Sequence, residues 1–117
     1  MTTEDEVSTY VMSVRPLIAN RRVVLIGRPK NLDALVALQM SKKAAVQDVG
    51  TLTVKHYCAG PEDDKDRGGQ ACWGFGRVIA QSEVYIKLVI EQASADRQRL
   101  KILSFHQAER PLRYRFR

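Results

Sequence analysis

Two short runs of alternating polar and apolar residues carry the side chains of this chain that could do chemistry. They are VYIKLVI, with Tyr85 and Lys87, and LKILSFHQ, with Ser104 and His106. Successive side chains of a β-strand point to opposite faces, so each run separates its polar residues from apolar ones such as Leu103. If the runs pair as a hairpin with both apolar sets inward, the four polar side chains share one exposed sheet face.

A histidine, a lysine and a tyrosine on one face are the parts needed to cleave RNA without a metal ion. The 2′-hydroxyl must lose a proton as it attacks the phosphate, extra negative charge must be stabilised, and the leaving 5′-oxygen must gain a proton. Histidine changes protonation near neutral pH, so His106 could be general base or acid, with Lys87 and a nearby arginine holding the phosphate. The alternative is an ordinary polar sheet surface on which these residue types meet by chance.

The closing segment ERPLRYRFR interleaves arginines with aromatic residues. Guanidinium groups bind phosphates in a bidentate manner, and unstacked bases stack on aromatic rings. We therefore expect this segment to bind RNA through four residues, Arg110, Arg113, Tyr114 and Arg115. The alternative is a frayed basic terminus that contacts only solvent.

Length and composition indicate one compact basic domain, residues 1–117. The chain is 44% hydrophobic, which is enough to bury a core. Lysine and arginine number 19 against 13 acids, for a formal net charge of +6, which suits a polyanion or an acidic protein surface as partner. With no long apolar run and an acidic MTTEDE start, we expect no membrane partner and a cytoplasmic location.

Few residues could bind a metal or do redox chemistry. Cys58 and Cys72 are too far apart in sequence for a C-x-x-C motif, and only His56 and His106 could complete a zinc ligand set. We expect free thiols in a reducing compartment, no metal site and no cofactor. His56, beside Tyr57, is interpreted as a structural residue.

Helical periodicity dominates the first half of the chain. Apolar residues at helical spacing predict an amphipathic helix over residues 4 to about 19, with Thr3 and Glu6 as a capping box. One or two shorter helices are predicted to follow, with Asn31 and Ser41 as their N-terminal caps.

Strand patterns dominate the second half. The segment 59–70, AGPEDDKDRGGQ, is predicted to be a surface loop because it is rich in charge, Gly and Pro. Three strands follow as an antiparallel meander, ACWGFGRVI, EVYIKLVI and LKILSFHQ, the last two joined by the polar stretch EQASADRQR. Trp73 and Phe75 are expected in the core, with base stacking as the alternative for Trp73. The order predicts an α+β domain, with N-terminal helices packed on a C-terminal antiparallel sheet of at least three strands.

Several segments also resemble a known family. RPKNLDALVAL, LTVKHYCAGPEDD, CWGFGRVI, EVYIKLVI and LKILSFHQAERPLRYRF are similar to parts of the small bacterial MqsR toxins of type II toxin–antitoxin systems, over roughly residues 22 to 117. The resemblance implies a RelE-like ribonuclease fold, sequence-selective cleavage of mRNA without a metal ion, and a cognate antitoxin that holds the toxin inactive. The family's strand tyrosine falls on Tyr85, and the lysine two residues later falls on Lys87.

The chain departs from the family pattern at three places. The residue after Ser-Phe is a lysine in the best-known members and is His106 here. The glutamine that follows the family's tryptophan is Gly74 here, and Arg77 on the same strand could compensate for it. The arginine-rich ending extends beyond the ends of those members.

The leading hypothesis is a metal-independent endoribonuclease, an mRNA interferase toxin that inhibits translation and growth. His106 moves a proton and Tyr85 orients the scissile nucleotide. Lys87 and Arg77 stabilise the phosphate. Two alternatives stay open, namely a non-enzymatic basic module that binds RNA or an acidic protein, and a degenerate toxin that keeps the fold and antitoxin binding.

Overall fold

A computed structural model describes residues 1–64 and 70–117. In this part the chain forms three α-helices, α1 (Glu4–Ala19), α2 (Pro29–Leu38) and α3 (Lys42–Val49), and a 3₁₀ turn at Val54–His56. It also forms five strands, β1 (Val23–Leu25), β2 (Tyr57–Asp64), β3 (Gln70–Ile79), β4 (Ser82–Ser94) and β5 (Arg97–Gln107). The strands make one sheet in the order β1-β5-β4-β3-β2. The α+β fold with N-terminal helices and C-terminal strands is confirmed, but the sheet is mixed, since β1 runs parallel to β5.

The predicted surface loop over residues 59–70 is wrong for its described part. Residues 57–64 form β2, which pairs antiparallel with β3, and residues 65–69 lie outside the described residues. The polar stretch EQASADRQR is likewise mostly strand, because β4 continues to Ser94 and β5 begins at Arg97. Backbone hydrogen bonds can hold an edge strand or the exposed end of a hairpin even when neither face of the strand is apolar. Such strands show no alternation of polar and apolar residues in the sequence.

Helix α1 begins with the predicted capping box. Oγ1 of Thr3 accepts a hydrogen bond from the N–H of Glu6, and the Glu6 carboxylate accepts one from the N–H of Thr3. Val7, Val11 and Val14 then place one buried stripe against the sheet at helical spacing. Local sequence therefore sets both the start of α1 and its packing face.

All three helices pack on one side of the sheet and share one core with it. Trp73 and Phe75 on β3 point into this core, at 9% and 0% exposure, so their predicted core position is confirmed. We call the opposite side of the sheet the outer face, and it carries the side chains of Tyr85, Lys87 and His106. On this face these three side chains are half-buried. The same face also carries a second cluster of buried apolar side chains, namely Cys72, Val89 and Leu103.

The predicted cap role of Asn31 is wrong, because α2 begins before it. Its side chain is fully buried and acts on β5 instead. Nδ2 donates to the carbonyl oxygens of Ile26, at 2.9 Å, and Leu103, at 3.1 Å, while Oδ1 accepts from the N–H of Phe105 at 3.0 Å. Strand β1 pairs with β5 only as far as Ile102. Beyond that point the Asn31 side chain makes the hydrogen bonds that a neighbouring strand would otherwise make.

A bulge in β5 moves one predicted core residue to the outer face. The register shifts between the pairs Lys87–Ser104 and Leu88–Ile102, so Leu103 has no partner on β4. Leu103 belongs to a second small apolar cluster on the outer face, with Cys72 and Val89, and not to the helix-side core that strict alternation predicts.

Tyr10 of α1 stacks on Trp73, with ring centroids 4.3 Å apart, but its hydroxyl is buried and has no hydrogen-bond partner in the described part of the chain. An unpaired buried hydroxyl costs about 1–3 kcal/mol, so Tyr10→Phe should raise the free energy of unfolding by about 1 kcal/mol. Burial, with a smaller contribution from Cys72, raises the pKa of Tyr10, so wild type loses more stability than the variant as the pH rises beyond about 10.

Urea unfolding at neutral pH and above pH ~10 measures both effects. The difference between Tyr10→Phe and wild type should widen at the higher pH. The Tyr10→Leu variant is the control, since it removes the hydroxyl together with the ring that stacks on Trp73. A phenylalanine variant no more stable than wild type would contradict this account.

Candidate functional site

The pairing of β4 with β5 brings the predicted catalytic side chains together on the outer face. Tyr85 lies directly opposite His106, and Lys87 lies opposite Ser104. The ring centroids of Tyr85 and His106 are 6.0 Å apart. Diagonal neighbours across a strand pair are about 7–8 Å apart, which puts Lys87 within reach of a group bound at His106. The four polar side chains therefore share one face of the sheet, as the alternation predicts, although Ser104 is buried.

A hydrogen bond fixes the tautomer of His106. Nδ1 lies 3.0 Å from the carbonyl oxygen of Gln107. A carbonyl can only accept, so the neutral ring carries its proton on Nδ1 and keeps a lone pair on Nε2. Nε2 makes no hydrogen bond with the described residues. The pKa of Glu109 is held below its usual range, mainly by the Lys30 ammonium and more weakly by His106. A charged carboxylate therefore lies near the His106 ring.

Lys87 provides positive charge beside this histidine. Its side chain is half-buried, and its ammonium makes no ion pair within residues 1–64 and 70–117. Across the sheet it pairs in register with Gly74 of β3 on one side and with Ser104, which is 6% exposed, on the other. A cation without a carboxylate partner remains available to an incoming phosphate oxygen.

The ring of Tyr85 fills the space above Gly74. A Cβ placed on Gly74 would lie 3.2 Å from the Tyr85 hydroxyl and 3.6 Å from Cβ of Ala59 on β2. The glutamine that the MqsR resemblance leads one to expect at this position would therefore displace the tyrosine ring. Burial first, and then the charge of Glu62, raises the pKa of Tyr85, so the phenol stays protonated and can donate a hydrogen bond.

Arg77 does not join this group, which corrects the expectation that it acts beside Lys87. Its side chain lies on the helix side of β3, as those of Trp73 and Phe75 do. Its Nη1 donates to the Asp48 carbonyl at 2.9 Å and to Oγ1 of Thr51 at 2.6 Å. The Asp48 carboxylate lies 3.4 Å away. Arg77 therefore holds the end of α3. Because strand residues alternate between faces, it cannot replace the side chain missing at Gly74.

The C-terminal segment, residues 108–117, crosses the outer face at Gly76 and ends against Tyr57 of the helix-side core, and we call it the tail. Its side chains alternate, with Leu112, Tyr114 and Phe116 half-buried and the arginines between them exposed. Phe116 stacks on Tyr57 of β2, with centroids 5.6 Å apart. The alternation is visible in LRYRFR and would have predicted a packed segment.

Glu83 of β4 anchors the tail. Its carboxylate accepts hydrogen bonds from the N–H of Leu112 at 2.8 Å and from the hydroxyl of Tyr114 at 2.9 Å. Gly76 of β3 permits the close approach, because a Cβ there would overlap Cδ1 of Leu112 and lie 2.9 Å from the Tyr114 hydroxyl. With its ring packed and its hydroxyl bonded, Tyr114 cannot stack a base as predicted. Burial first, and then the bond to Glu83, raises the pKa of Tyr114 to about 12.

The tail arginines remain available for contacts. Arg110, Arg113 and Arg115 are exposed and make no ion pair with any residue the structure describes. The guanidinium of Arg115 lies 5.5 Å from the ring of Phe116. The tail therefore presents cations while its apolar side chains pack beneath them.

A metal site, a reactive thiol and a membrane-spanning helix each require particular features of the described residues. Among the described residues, no group of three or more His, Cys, Asp or Glu side chains could hold a metal ion. Burial raises the pKa of the Cys58 thiol to about 11, so that thiol stays protonated at neutral pH. None of the helices in the described part is both long and apolar enough to cross a membrane.

Comparisons with protein-family models, with curated proteins and with solved structures found no match to this chain. The likeness to MqsR toxins therefore depends on the sequence segments quoted above and stays a prediction. What the molecule itself offers is the outer face, where adjacent strands carry a lysine without an ion pair to the described residues, a histidine of defined tautomer and a protonated tyrosine.

Proposed function

We propose that this protein is a metal-independent endoribonuclease, the toxin of a type II toxin–antitoxin system that cleaves mRNA. The observation that carries the proposal is the register of β4 and β5. In this register His106, whose Nε2 has no hydrogen-bond partner among the described residues, lies beside Tyr85 and near Lys87, and all three side chains are half-buried on the outer face. A general base, a phosphate-binding cation and a hydrogen-bond donor are thus available within one site.

Each step of RNA cleavage has a side chain to perform it. Nε2 of His106 takes the proton of the 2′-hydroxyl while its oxygen attacks the phosphorus. The Lys87 ammonium stabilises the negative charge that gathers on the phosphoryl oxygens. The bond to the 5′-oxygen then breaks and leaves a 2′,3′-cyclic phosphate. The 5′-oxygen takes its proton from the Lys87 ammonium or from the phenol of Tyr85, which also orients the scissile nucleotide.

The tail supplies the path of the RNA beyond the cleavage point. Arg110, Arg113 and Arg115 follow the end of β5 directly and are exposed. They contact phosphates, and their contribution to affinity falls as salt rises. A cognate antitoxin with an acidic surface would cover the same cations and block access to His106.

Purified protein should cleave single-stranded RNA in the presence of EDTA. The products should carry 2′,3′-cyclic phosphate and 5′-hydroxyl ends, because the attacking group is the 2′-hydroxyl. Product ends are identified by enzymatic end-labelling and mass spectrometry. The matched control is the same RNA with a 2′-deoxy nucleotide at the cleaved position, which should stay intact. Cleavage that EDTA abolishes, or cleavage of the deoxy control, would contradict the proposal.

A non-enzymatic basic module is the second candidate function. The observation that favours it is the tail, whose arginines are exposed while Tyr114 and Phe116 are packed, an arrangement suited to phosphate contacts without base readout. Such a module should shift RNA in a gel and leave its length unchanged. Expression in cells separates the two functions as well, since only the ribonuclease should shorten transcripts and arrest growth.

A further inference from the structure

A basic pocket lies where the 3₁₀ turn, the end of β3 and the tail meet. It is a cavity of about 320 Å³, and its polar lining consists of Lys55, His56, Arg77, Tyr114 and Arg117. No carboxylate is among the described residues that line it. None of the groups proposed above for catalysis belongs to it.

His56 presents a hydrogen-bond donor to this pocket. Its Nδ1 accepts a hydrogen bond from the N–H of Thr53 at 2.9 Å, within the cap of the 3₁₀ turn. The neutral ring must therefore carry its proton on Nε2, which has no partner in the described part of the chain. Burial first, and then the positive charges of Arg77 and Arg117, lower the pKa of His56. The ring is therefore neutral near pH 7.

The three cations of the lining are held in different ways. Arg77 is fixed through Nη1, by the Asp48 carbonyl and Oγ1 of Thr51. The guanidinium of Arg117 lies 4.5 Å from the centre of the Tyr114 ring. Lys55 is exposed and makes no ion pair with the described residues.

Two acidic side chains of the described residues lie beside these groups. Asp48 lies 3.4 Å from Arg77, and Glu83 is engaged by the Tyr114 hydroxyl. Three cations and a histidine that carries its proton on Nε2 thus line one cavity, and among the three cations only Arg77 makes an ion pair with the described residues. A group with several acceptor oxygens and one to two negative charges complements this set.

We propose that this pocket binds a phosphate group, either the monoester of a nucleotide or a phosphodiester of an RNA strand. The cavity has room for a phosphate together with its sugar. Lys55 and Arg117 neutralise the charge, the free guanidinium nitrogens of Arg77 provide further donors, and Nε2 of His56 donates to one oxygen. This site uses none of the side chains of the proposed ribonuclease centre.

An NMR titration of the full-length protein with inorganic phosphate tests the site. The ring C–H signals of His56 should shift saturably, and the pKa of His56 should rise on binding because the anion stabilises the imidazolium. The double variant Lys55→Ala/Arg117→Ala should weaken binding by roughly tenfold or more, since two charge-assisted contacts are lost. The control Lys42→Ala/Lys43→Ala makes the same change in net charge on exposed residues of α3 and should bind as wild type does.

Two further ligands distinguish the sources of the phosphate. A nucleoside 5′-monophosphate that competes with inorganic phosphate at His56 indicates a monoester site, and a short RNA without terminal phosphates that does so indicates a phosphodiester site. Absence of a saturable shift with all three ligands, or equal losses in both double variants, would overturn the proposal. The titration measures binding at His56 and does not depend on cleavage. A protein that binds phosphate in this pocket but leaves RNA intact would therefore contradict the ribonuclease function and not the phosphate site.

Discussion

His106→Ala should lower the rate of RNA cleavage by roughly a hundred- to ten-thousand-fold, the usual contribution of a positioned general base. The variant should stay folded, because the side chain is half-buried and its hydrogen bond to the adjacent Gln107 carbonyl is local. Cleavage of a short RNA with one scissile site, followed under single-turnover conditions, gives the rate. Urea unfolding of the same preparation shows whether stability has changed.

Two companion variants separate proton transfer from charge. His106→Lys restores the residue type that the resembling toxins carry here and supplies a cation without the free Nε2 lone pair. We expect it to bind RNA as tightly as wild type and to cleave it slowly near neutral pH. Lys87→Ala should weaken both binding and cleavage, whereas Arg97→Ala, at the exposed end of the β4–β5 hairpin, makes the same charge change and should do neither. Wild-type cleavage by the His106→Ala protein in EDTA would remove this site from consideration.

Asn31→Ala should lower the free energy of unfolding by about 3 kcal/mol. The substitution removes the partners of the Leu103 carbonyl and of the Phe105 N–H, both buried hydrogen bonds, together with the bond to Ile26. Each buried backbone group left without a partner costs about 1–3 kcal/mol, and the lost side-chain volume adds to this. Urea unfolding at equilibrium measures the difference.

The same helix offers a matched control for that substitution. Asp33 lies two positions further along α2 and is exposed, so Asp33→Ala should change stability by no more than about 0.5 kcal/mol. Because Phe105 precedes His106 on β5, Asn31→Ala should also reduce cleavage under conditions where it is still folded. Similar losses of stability in the two variants would show that Asn31 does not hold the edge of β5.

Predictions from sequence succeeded where both partners of a contact are near in the chain. The Thr3–Glu6 capping box spans one turn of α1, and the shared face of Tyr85 and His106 follows from alternation in the two strands of a single hairpin. Register in a hairpin is strongly specified because a slip by one residue would turn the apolar side chains to solvent. The candidate site on the outer face was therefore predictable in outline.

The predictions for Asn31 and Arg77 failed because the partners that decide their roles are distant in sequence. Asn31 has the side chain of a helix cap, yet its partners Leu103 and Phe105 lie on a strand at the other end of the chain. Arg77 was expected to act beside Lys87, and the end of α3 holds it on the opposite face. The residue type alone does not reveal which role Asn31 or Arg77 has, because an amide or a guanidinium group can form hydrogen bonds with many different partners.

By itself, the sequence of this protein determined the α+β class, the start of α1 and the shared face of Tyr85, Lys87 and His106, since periodicity and caps are local properties. Only the tertiary structure decided that β1 joins the sheet parallel to β5, that Glu83 and Gly76 receive the tail, and that the basic pocket forms around His56. These features depend on contacts between segments far apart in the chain. Such contacts are selected by the packing of the whole domain and leave no periodic signature in any one segment.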